Sequence, residues 1–169
     1  MTATRVEIRI EPAVVGDTAV ILELIRELAE FERLLDQATA TEASLREQLF
    51  GKAPKAEVIM ARIGSEVVGF ALFFHNFSTF LGKPGLYLED LYVRQKFRGH
   101  GCGEALLRRL AQIAVERGCG RFEWSVLDWN QRAIDFYKAL GAVPMDEWTT
   151  YRVSGEALTK LARRAQLDV

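Results

Sequence analysis

Three glycines alternate at Gly99, Gly101 and Gly103, and the pattern of an amphipathic helix follows them directly. A glycine-rich turn at a helix N-terminus leaves backbone N–H groups free to converge on an oxyanion, and the helix dipole adds partial positive charge. Arg98 precedes the first glycine and supplies a cation. The stretch therefore predicts a diphosphate-binding turn, although a plain glycine-rich helix start would have the same residues.

Two mismatches restrict the ligand of this turn. The P-loop of nucleotide triphosphatases needs a lysine and then Ser or Thr after its last glycine, whereas Glu104 follows Gly103. The dinucleotide fingerprint G-x-G-x-x-G needs a third glycine where Glu104 or Leu106 stands. The spacing that is present is Arg-x-x-Gly-x-Gly, formed by Arg98, Gly101 and Gly103.

Two adjacent carboxylates, Glu89 and Asp90, interrupt the apolar stretch "LYLEDLYV". Burying an ionised carboxylate is unfavourable unless it is paired or hydrated. One interpretation gives each an arginine or backbone partner, and the other places Glu89 in a cleft where it accepts a proton from a substrate ammonium. For Asp90, a substrate contact and a structural ion pair are equally compatible with the pattern. Adjacent strand residues point to opposite faces, so the pattern does not let both serve one pocket directly.

A second polar set lies in "VLDWNQRAIDFYKALGA". Asn130 is a natural helix N-cap, and Tyr137 lies seven positions later, about two helical turns on. A tyrosine on the inner face of a helix is more often a core residue than a catalyst. From the spacing alone, Asn130 is therefore interpreted as a helix cap and Tyr137 as a core residue.

The elements that must position these residues are predicted in the order β-α-α-β-β-β-α-β-α-β-α, a mixed α/β fold in one domain over 1–169. The predicted strands cover 6–10, 57–63, 66–74, 86–93, 121–127 and 147–153. The predicted helices follow Asp17 (with Ile21, Leu24, Ile25, Leu28 and Phe31 as one buried stripe), cover 42–50 after Thr41, run from the glycine turn to Gly118, cover 131–140 and begin after Ser154.

Composition narrows the function classes. The 169 residues include 22 basic and 23 acidic ones, so no global positive field is available for nucleic acid. Cys102 and Cys119 lie 17 positions apart, which fits neither a metal site nor a disulfide framework, and free thiols suit a reducing compartment. The N-terminus lacks the pattern of a signal peptide, and "VVGFALFF" is too short to span a bilayer. We therefore expect a cytoplasmic protein without a metal.

The sequence resembles the GNAT family of N-acetyltransferases in four stretches that occur in the same order over nearly the whole chain: "LIRELAEFERL", "YLEDLYV", "RGHGCG" and "LDWNQRAIDFYKALGA". Within that family it is similar to the diamine acetyltransferase branch, the spermidine/spermine N1-acetyltransferases and their relatives, and most similar to the thialysine Nε-acetyltransferases. The resemblance implies an α/β GNAT fold with a mixed, mostly antiparallel sheet of about six to seven strands. That sheet splays between its fourth and fifth strands and is flanked by four to five helices.

The resemblance also implies roles for individual residues. Glu89 is similar to the proton-accepting carboxylate, and Tyr137 to the general acid that protonates the departing CoA thiolate. The residues implied to bind acetyl-CoA are Leu91, Val93, Arg98, Gly99, His100, Gly101, Cys102, Gly103, Glu104, Asn130 and Tyr137. Those implied to contact the amine are Glu32, Glu89, Asp90 and Trp148, with Glu32 reaching the site across a homodimer interface.

The predicted reaction is direct transfer of an acetyl group from acetyl-CoA to a primary amine of a small cation, of thialysine, diamine or polyamine type. Basic residues that follow the tyrosine in polyamine enzymes are replaced here by Ala139 and Leu140, which leaves the amine open. A peptide N-acetyltransferase, a non-catalytic acyl-CoA-binding module and a structural interaction protein are the alternatives. Glu89 and Tyr137 argue against the module, and the acidic residues favour a small cation over a peptide.

Overall fold

A computed structural model describes residues 7–163, which form two compact units that divide after Ser125. The order of elements agrees with the sequence prediction except for the last strand. The first unit contains β1 (Ile8–Pro12), α1 (Thr18–Phe31), α2 (Glu42–Phe50), β2 (Glu57–Ile63), β3 (Glu66–Ser78), β4 (Lys83–Val93), α3 (Cys102–Glu116) and β5 (Arg121–Trp124). The second contains α4 (Gln131–Ala139) and α5 (Gly155–Ala162).

The strands of the first unit form one sheet in the order β1-β2-β3-β4-β5. The first three pairings are antiparallel, and β4 pairs with β5 in parallel. The predicted mixed, mostly antiparallel sheet is therefore confirmed, as are the five helices over residues 7–163. The predicted count of six to seven strands is wrong for this range, which holds five.

The missing strand is the one predicted at 147–153, where the structure has no strand. Its residues belong to the second unit, and Trp148 and Tyr151 are 75% and 91% exposed. A strand needs a hydrogen-bonded neighbour, and alternation of side chains alone does not supply one. Four of the other predicted strands differ only at their ends. β1 extends to Pro12, with Val6 outside the described residues, β3 extends to Ser78, and β5 ends at Trp124. β4 begins at Lys83 because Gly82 (φ 61°) completes the preceding turn.

The sheet carries helices because its strands are apolar on both faces. Val58, Met60 and Phe70 pack with the inner stripe of α1, which includes Ile21 and Leu24. Residues between those positions point to the opposite face, and α3 contacts β1 to β4 through its own buried leucines. One member of the predicted α1 stripe departs from the prediction. Phe31, in the last turn, is 39% exposed.

The sheet is irregular where β4 meets β5. Their pairing joins Gly85–Leu88 to Arg121–Trp124, whereas β4 continues five residues further, to Val93. The predicted divergence between the fourth and fifth strands is thus present. On its other side, β4 pairs with β3, but the register shifts where Leu72 opposes Asp90 and Phe73 opposes Leu88, so that Glu89 is the extra residue of a β-bulge.

Candidate active site

The glycine turn has the backbone geometry of an anion cradle. Gly99 and Gly101 adopt left-handed φ angles of 84° and 88°, and Gly101 is the N-cap of α3. A Cβ added to either would meet no atom within 4 Å, so the space beside the backbone is open. The first N–H groups of a helix have no acceptor inside it, and a bound anion can fill that role. The turn therefore fits a diphosphate group.

Side chains contribute less positive charge to this cradle than the sequence implied. The Nε of Arg98 donates to the carbonyl of Val93 at 2.9 Å. Lys96, a further cation of the turn, lies 2.6 Å from a carboxylate oxygen of Glu66. Glu104, in the first turn of α3, receives a 2.6 Å hydrogen bond from Arg108, which offsets its charge. Binding of an anion here therefore depends on backbone N–H groups and on Arg98, whose bond to a neutral carbonyl leaves its charge and its other donors in place.

Leu91 and Val93 present backbone groups at the open edge of β4. Val93 lies opposite Gly69, and the N–H of Arg94 bonds to the carbonyl of Val68 at 2.9 Å. This pattern makes Val93 a non-hydrogen-bonded position of the β3–β4 ladder, and Leu91, two residues earlier, is another. Their N–H and C=O groups thus face away from β3, toward the edge of β4 that is no longer paired with β5. An extended ligand can pair there as an added strand would.

An acidic cluster occupies the bulge of β4 and the end of α1. Asp90 is half-buried, and burial, followed by the charges of Glu89 and Glu32, raises its pKa to about 6. Burial also raises the pKa of Glu32, the residue that follows the last turn of α1. Within residues 7–163, the charges that act on Asp90 are thus both carboxylates. The cluster is suited to receive a cation.

Two expectations about these carboxylates are altered by the structure. Strict alternation is lost at a bulge, so the argument that Glu89 and Asp90 must serve opposite faces does not apply here. The structural ion pair considered for Asp90 is not supported either, because over the described range it has carboxylates rather than an arginine as charged neighbours. The implied role of Glu32 across a homodimer interface stays a prediction.

Cys102 is an unsuitable nucleophile. It lies at the start of α3 and is 1% exposed, and burial raises the pKa of its thiol. A buried thiol with a raised pKa holds little reactive thiolate at neutral pH. Its burial at the start of α3 indicates a small packing residue at the glycine turn.

The second unit carries Asn130, Tyr137 and Trp148. Asn130 caps α4 by accepting a 3.3 Å hydrogen bond from the N–H of Ala133, as predicted. Tyr137 is half-buried on α4, and its ring centroid lies 5.5 Å from that of Phe136. Trp148 lies in an irregular segment and is largely exposed. The roles of all three in binding and catalysis stay predictions.

Sequence reasoning missed the side chains that join the glycine turn to α1. The guanidinium of Arg98 lies over the ring of Phe31, 4.6 Å from its centroid, and 5.5 Å from that of Tyr92. Arg94 donates to Glu27 at 3.0 Å and to Glu23 at 2.6 Å, both on α1. The one available signal was the (i, i+4) spacing of the two glutamates, which is also common on solvated helix faces.

Residues 7–163 contain neither a metal-binding cluster nor a membrane-spanning helix. No group of three or more His, Cys, Asp or Glu side chains in that range is arranged to hold a metal ion. None of its helices combines the length and apolar character that crossing a bilayer requires.

Comparisons with known proteins agree with this geometry. The family model described as "Acetyltransferase (GNAT) family" matches residues 21–142. The thialysine N-epsilon-acetyltransferase of Bos taurus is 42% identical over 166 residues, covering 92% of this chain and 97% of the relative. The L-ornithine N5-acetyltransferase of Arabidopsis thaliana is 33% identical, covering 93% and 89%. An integron cassette protein from the mobile metagenome of V. cholerae has a similar solved structure, with a TM-score of 0.79, 30% identity and coverage of 93% and 98%.

Proposed function

Because the chain belongs to the GNAT family of acetyltransferases and is an acetyl-CoA-dependent amine N-acetyltransferase, we propose that its acceptor is the primary amine of a small cation. The acetyl group passes directly from acetyl-CoA to the amine in a ternary complex. Thialysine and ornithine, the substrates named for two relatives, are the first candidates. Both carry an ammonium group at the end of a short chain, and a diamine or polyamine shares that feature.

The observation that carries this proposal is the cluster of Glu32, Glu89 and Asp90. Burying a carboxylate and placing like charges beside it are both unfavourable, and the pKa of Asp90 is raised by burial first and then by the charges of Glu89 and Glu32. An ammonium group of the substrate relieves the repulsion, because it supplies the positive charge that the described residues do not place beside Asp90. A neutral acceptor would gain nothing from this arrangement.

Acetyl-CoA fits the other half of the site. We propose that the glycine turn from Arg98 to Glu104 holds its diphosphate and that the backbone of Leu91 and Val93 pairs with its pantetheine arm. When bound, acetyl-CoA supplies the acetyl group as a thioester. An N–H at the open edge of β4 then polarises the thioester carbonyl, a contribution worth about 2.7–4 kcal/mol in comparable oxyanion holes.

Glu89 is proposed to remove the proton that makes the ammonium unreactive. A substrate ammonium has a pKa near ~10, so it needs a proton acceptor before it can attack at neutral pH. Glu89 is exposed on the bulge and can accept the proton through water, while Asp90 anchors the cation. The raised pKa of Asp90 favours a second assignment, in which Asp90 itself accepts the proton. The pH profiles of single variants distinguish the two.

Tyr137 is proposed as the acid that protonates the departing thiolate. We expect Tyr137→Phe to lower kcat by about 10²- to 10⁴-fold, the usual contribution of a general acid, while the Kd for acetyl-CoA stays nearly unchanged. Tyr151→Phe is the matched control, since Tyr151 belongs to the same unit and is 91% exposed. A wild-type rate for Tyr137→Phe would remove the assignment.

The deciding experiment is a thiol-release assay with acetyl-CoA and a panel of acceptors: thialysine, ornithine, lysine, putrescine, spermidine and a basic peptide. The proposal expects turnover of at least one small amine with the highest kcat/KM in the panel. Turnover of the peptide alone would favour a peptide acetyltransferase. Binding of CoA without any turnover would favour an acyl-CoA-binding module.

We also propose a cytoplasmic homodimer that binds neither nucleic acid nor membrane. The near-neutral net charge of −1 supports the absence of nucleic-acid and membrane binding, the free thiols of Cys102 and Cys119 support the compartment, and the dimer rests on the family resemblance. Light scattering tests the dimer, and retention on an anionic-lipid or DNA matrix at physiological salt would contradict the rest.

A further inference from the structure

The glycine turn and the acidic cluster are joined by one side chain, that of Arg98. Its Nε donates to the carbonyl of Val93 at the end of β4, and its guanidinium lies 5.5 Å from the centroid of the Tyr92 ring. Its flat face lies over the ring of Phe31, 4.6 Å from the centroid. Phe31 ends α1, and the next residue is Glu32. A residue of the proposed diphosphate turn thus packs directly against the helix end that carries an acidic ligand for the amine.

That helix end is held by a strained turn. The N–H of Leu34 bonds to the carbonyl of Ala29 at 2.8 Å, and the N–H of Arg33 bonds to that of Glu30 at 3.0 Å, which is a Schellman motif. The motif requires a left-handed residue, and Arg33 fills that place at φ 62°, the only non-glycine residue with positive φ in residues 7–163. Such a backbone is unfavourable for a residue with a Cβ, so this turn depends on packing from outside the helix.

We propose that the contact between Phe31 and Arg98 is a positioning contact, through which binding of acetyl-CoA orders the last turn of α1 and tightens binding of the amine at Glu32. The inference rests on the proposed function. It assigns to Phe31 a role in amine affinity without contact to the amine, and to Arg98 a role beyond neutralising phosphate.

The physical basis is that the conformational entropy of the helix end is lost only once, when the first ligand binds. A guanidinium has five N–H donors, more than the bond of Arg98 to Val93 uses, so it can also bond to a diphosphate in the glycine turn. Bound on both sides, Arg98 loses freedom, and its stacked partner Phe31 is restrained with it. The amine then binds to a helix end that is already ordered, which gives positive cooperativity between the two ligands.

Linkage makes this cooperativity measurable. The factor by which free CoA tightens amine binding must equal the factor by which the amine tightens CoA binding. Free CoA serves as the probe because it carries no acetyl group, so its ternary complex with thialysine does not react. We expect a coupling factor of about three to ten in the wild type, the range that loss of one cation–π contact would remove.

Three variants separate the contact from its surroundings. Phe31→Leu keeps an apolar side chain but removes the ring, and we expect the coupling factor to fall to about one. Phe31→Tyr keeps the ring and should restore it. Arg98→Lys keeps a cation for the diphosphate but loses the flat face, so CoA affinity should fall by less than the coupling does. Phe80→Leu is the control, since Phe80 is 96% exposed and should leave the coupling unchanged.

Two further measurements distinguish positioning from a general structural defect. Phe31→Leu should raise the amine KM with kcat nearly unchanged, measured at saturating acetyl-CoA. Hydrogen exchange at the amides of Glu32, Arg33 and Leu34, each bonded inside the helix end, should slow about three- to tenfold when CoA alone binds the wild type. It should not slow in Phe31→Leu or in Arg98→Lys.

The outcomes of the two proposals are separate. A wild type that acetylates an amine but binds it equally with and without CoA contradicts the coupling and leaves the proposed function intact. A wild type that turns over no amine contradicts the proposed function, and amide exchange with CoA then decides the coupling alone. Equal exchange with and without CoA, or slowing that persists in Phe31→Leu, overturns the inference.

Discussion

The two halves of the candidate site select opposite charges by different physical means. The glycine turn from Arg98 to Glu104 offers backbone N–H groups at the start of α3 together with the Arg98 guanidinium, while Arg108 offsets the charge of Glu104. The acidic cluster of Glu32, Glu89 and Asp90 offers side chains whose charges act on one another. Backbone dipoles do not titrate, whereas clustered carboxylates do. Changes in pH should therefore alter amine binding more than acetyl-CoA binding, whereas changes in backbone conformation at the glycine turn should alter acetyl-CoA binding more.

Of the changes that compare the two halves, Glu89→Gln on the amine side has the largest expected effect. Loss of the proton acceptor should lower kcat/KM by about 10²- to 10³-fold, most strongly below the pKa of the amine, with partial recovery at high pH where free amine is abundant. A pH–rate profile measures this. Glu42→Gln is the control, because Glu42 forms an exposed ion pair with Arg46 that should contribute little. A loss independent of pH would indicate a structural role for Glu89.

On the CoA side, Gly101→Ala should raise the Kd for acetyl-CoA by about 10- to 100-fold, because a methyl group would stand in the open space beside the turn. Gly64→Ala is a matched control. Gly64 also has left-handed φ, at 60°, and an open Cβ position, but it lies in the β2–β3 hairpin. Both variants should lose about 1–2 kcal/mol of stability. Equal Kd values for acetyl-CoA would contradict a diphosphate site at Gly101.

Asp90→Asn should separate stability from activity. The folded-state pKa of Asp90 is raised from 3.8 to about 6, so the folded protein binds more protons than the unfolded chain between those pH values. Stability of the wild type therefore falls as pH rises through about 6, and the variant escapes this loss. We expect the free energy of unfolding of the variant to exceed that of the wild type by about 2–3 kcal/mol at pH 8 and to equal it at pH 3. Denaturant titrations at both pH values measure this difference. The amine KM of the same variant should be raised, which an activity assay measures.

The smallest expected effect is that of Glu32→Gln. Removing one like charge lowers the pKa of Asp90, so the pH dependence of amine binding should shift to lower pH, and the amine KM should rise by about two- to fivefold. Acetyl-CoA affinity measured alone should stay unchanged. A change in acetyl-CoA affinity without a change in amine KM would assign Glu32 to the acetyl-CoA half of the site and contradict its place in the acidic cluster.

Much of the fold could be read from local signals in the sequence. Thr41 caps α2 by accepting a 3.1 Å hydrogen bond from Ser44, and Gly141 ends α4 with a φ of 88°, both where the residue types predicted a helix end. These features depend on neighbours within four residues. The prediction of a strand at 147–153 was wrong because a strand needs a hydrogen-bonded partner from a distant part of the chain, and alternation of side chains does not reveal that partner.

The candidate site divides in the same way. The sequence by itself determined the chemistry available: an arginine and three glycines before a helix, two adjacent carboxylates in an apolar strand, and a capped helix with a tyrosine. Only the tertiary structure decided that Glu89 lies on a bulge, that Asp90 has Glu32 as a charged neighbour, and that Arg98 rests on Phe31. Residue type fixes which groups can titrate or bond. Burial, register and packing across distant segments decide their pKa values and their partners, because desolvation and contact depend on the folded surroundings.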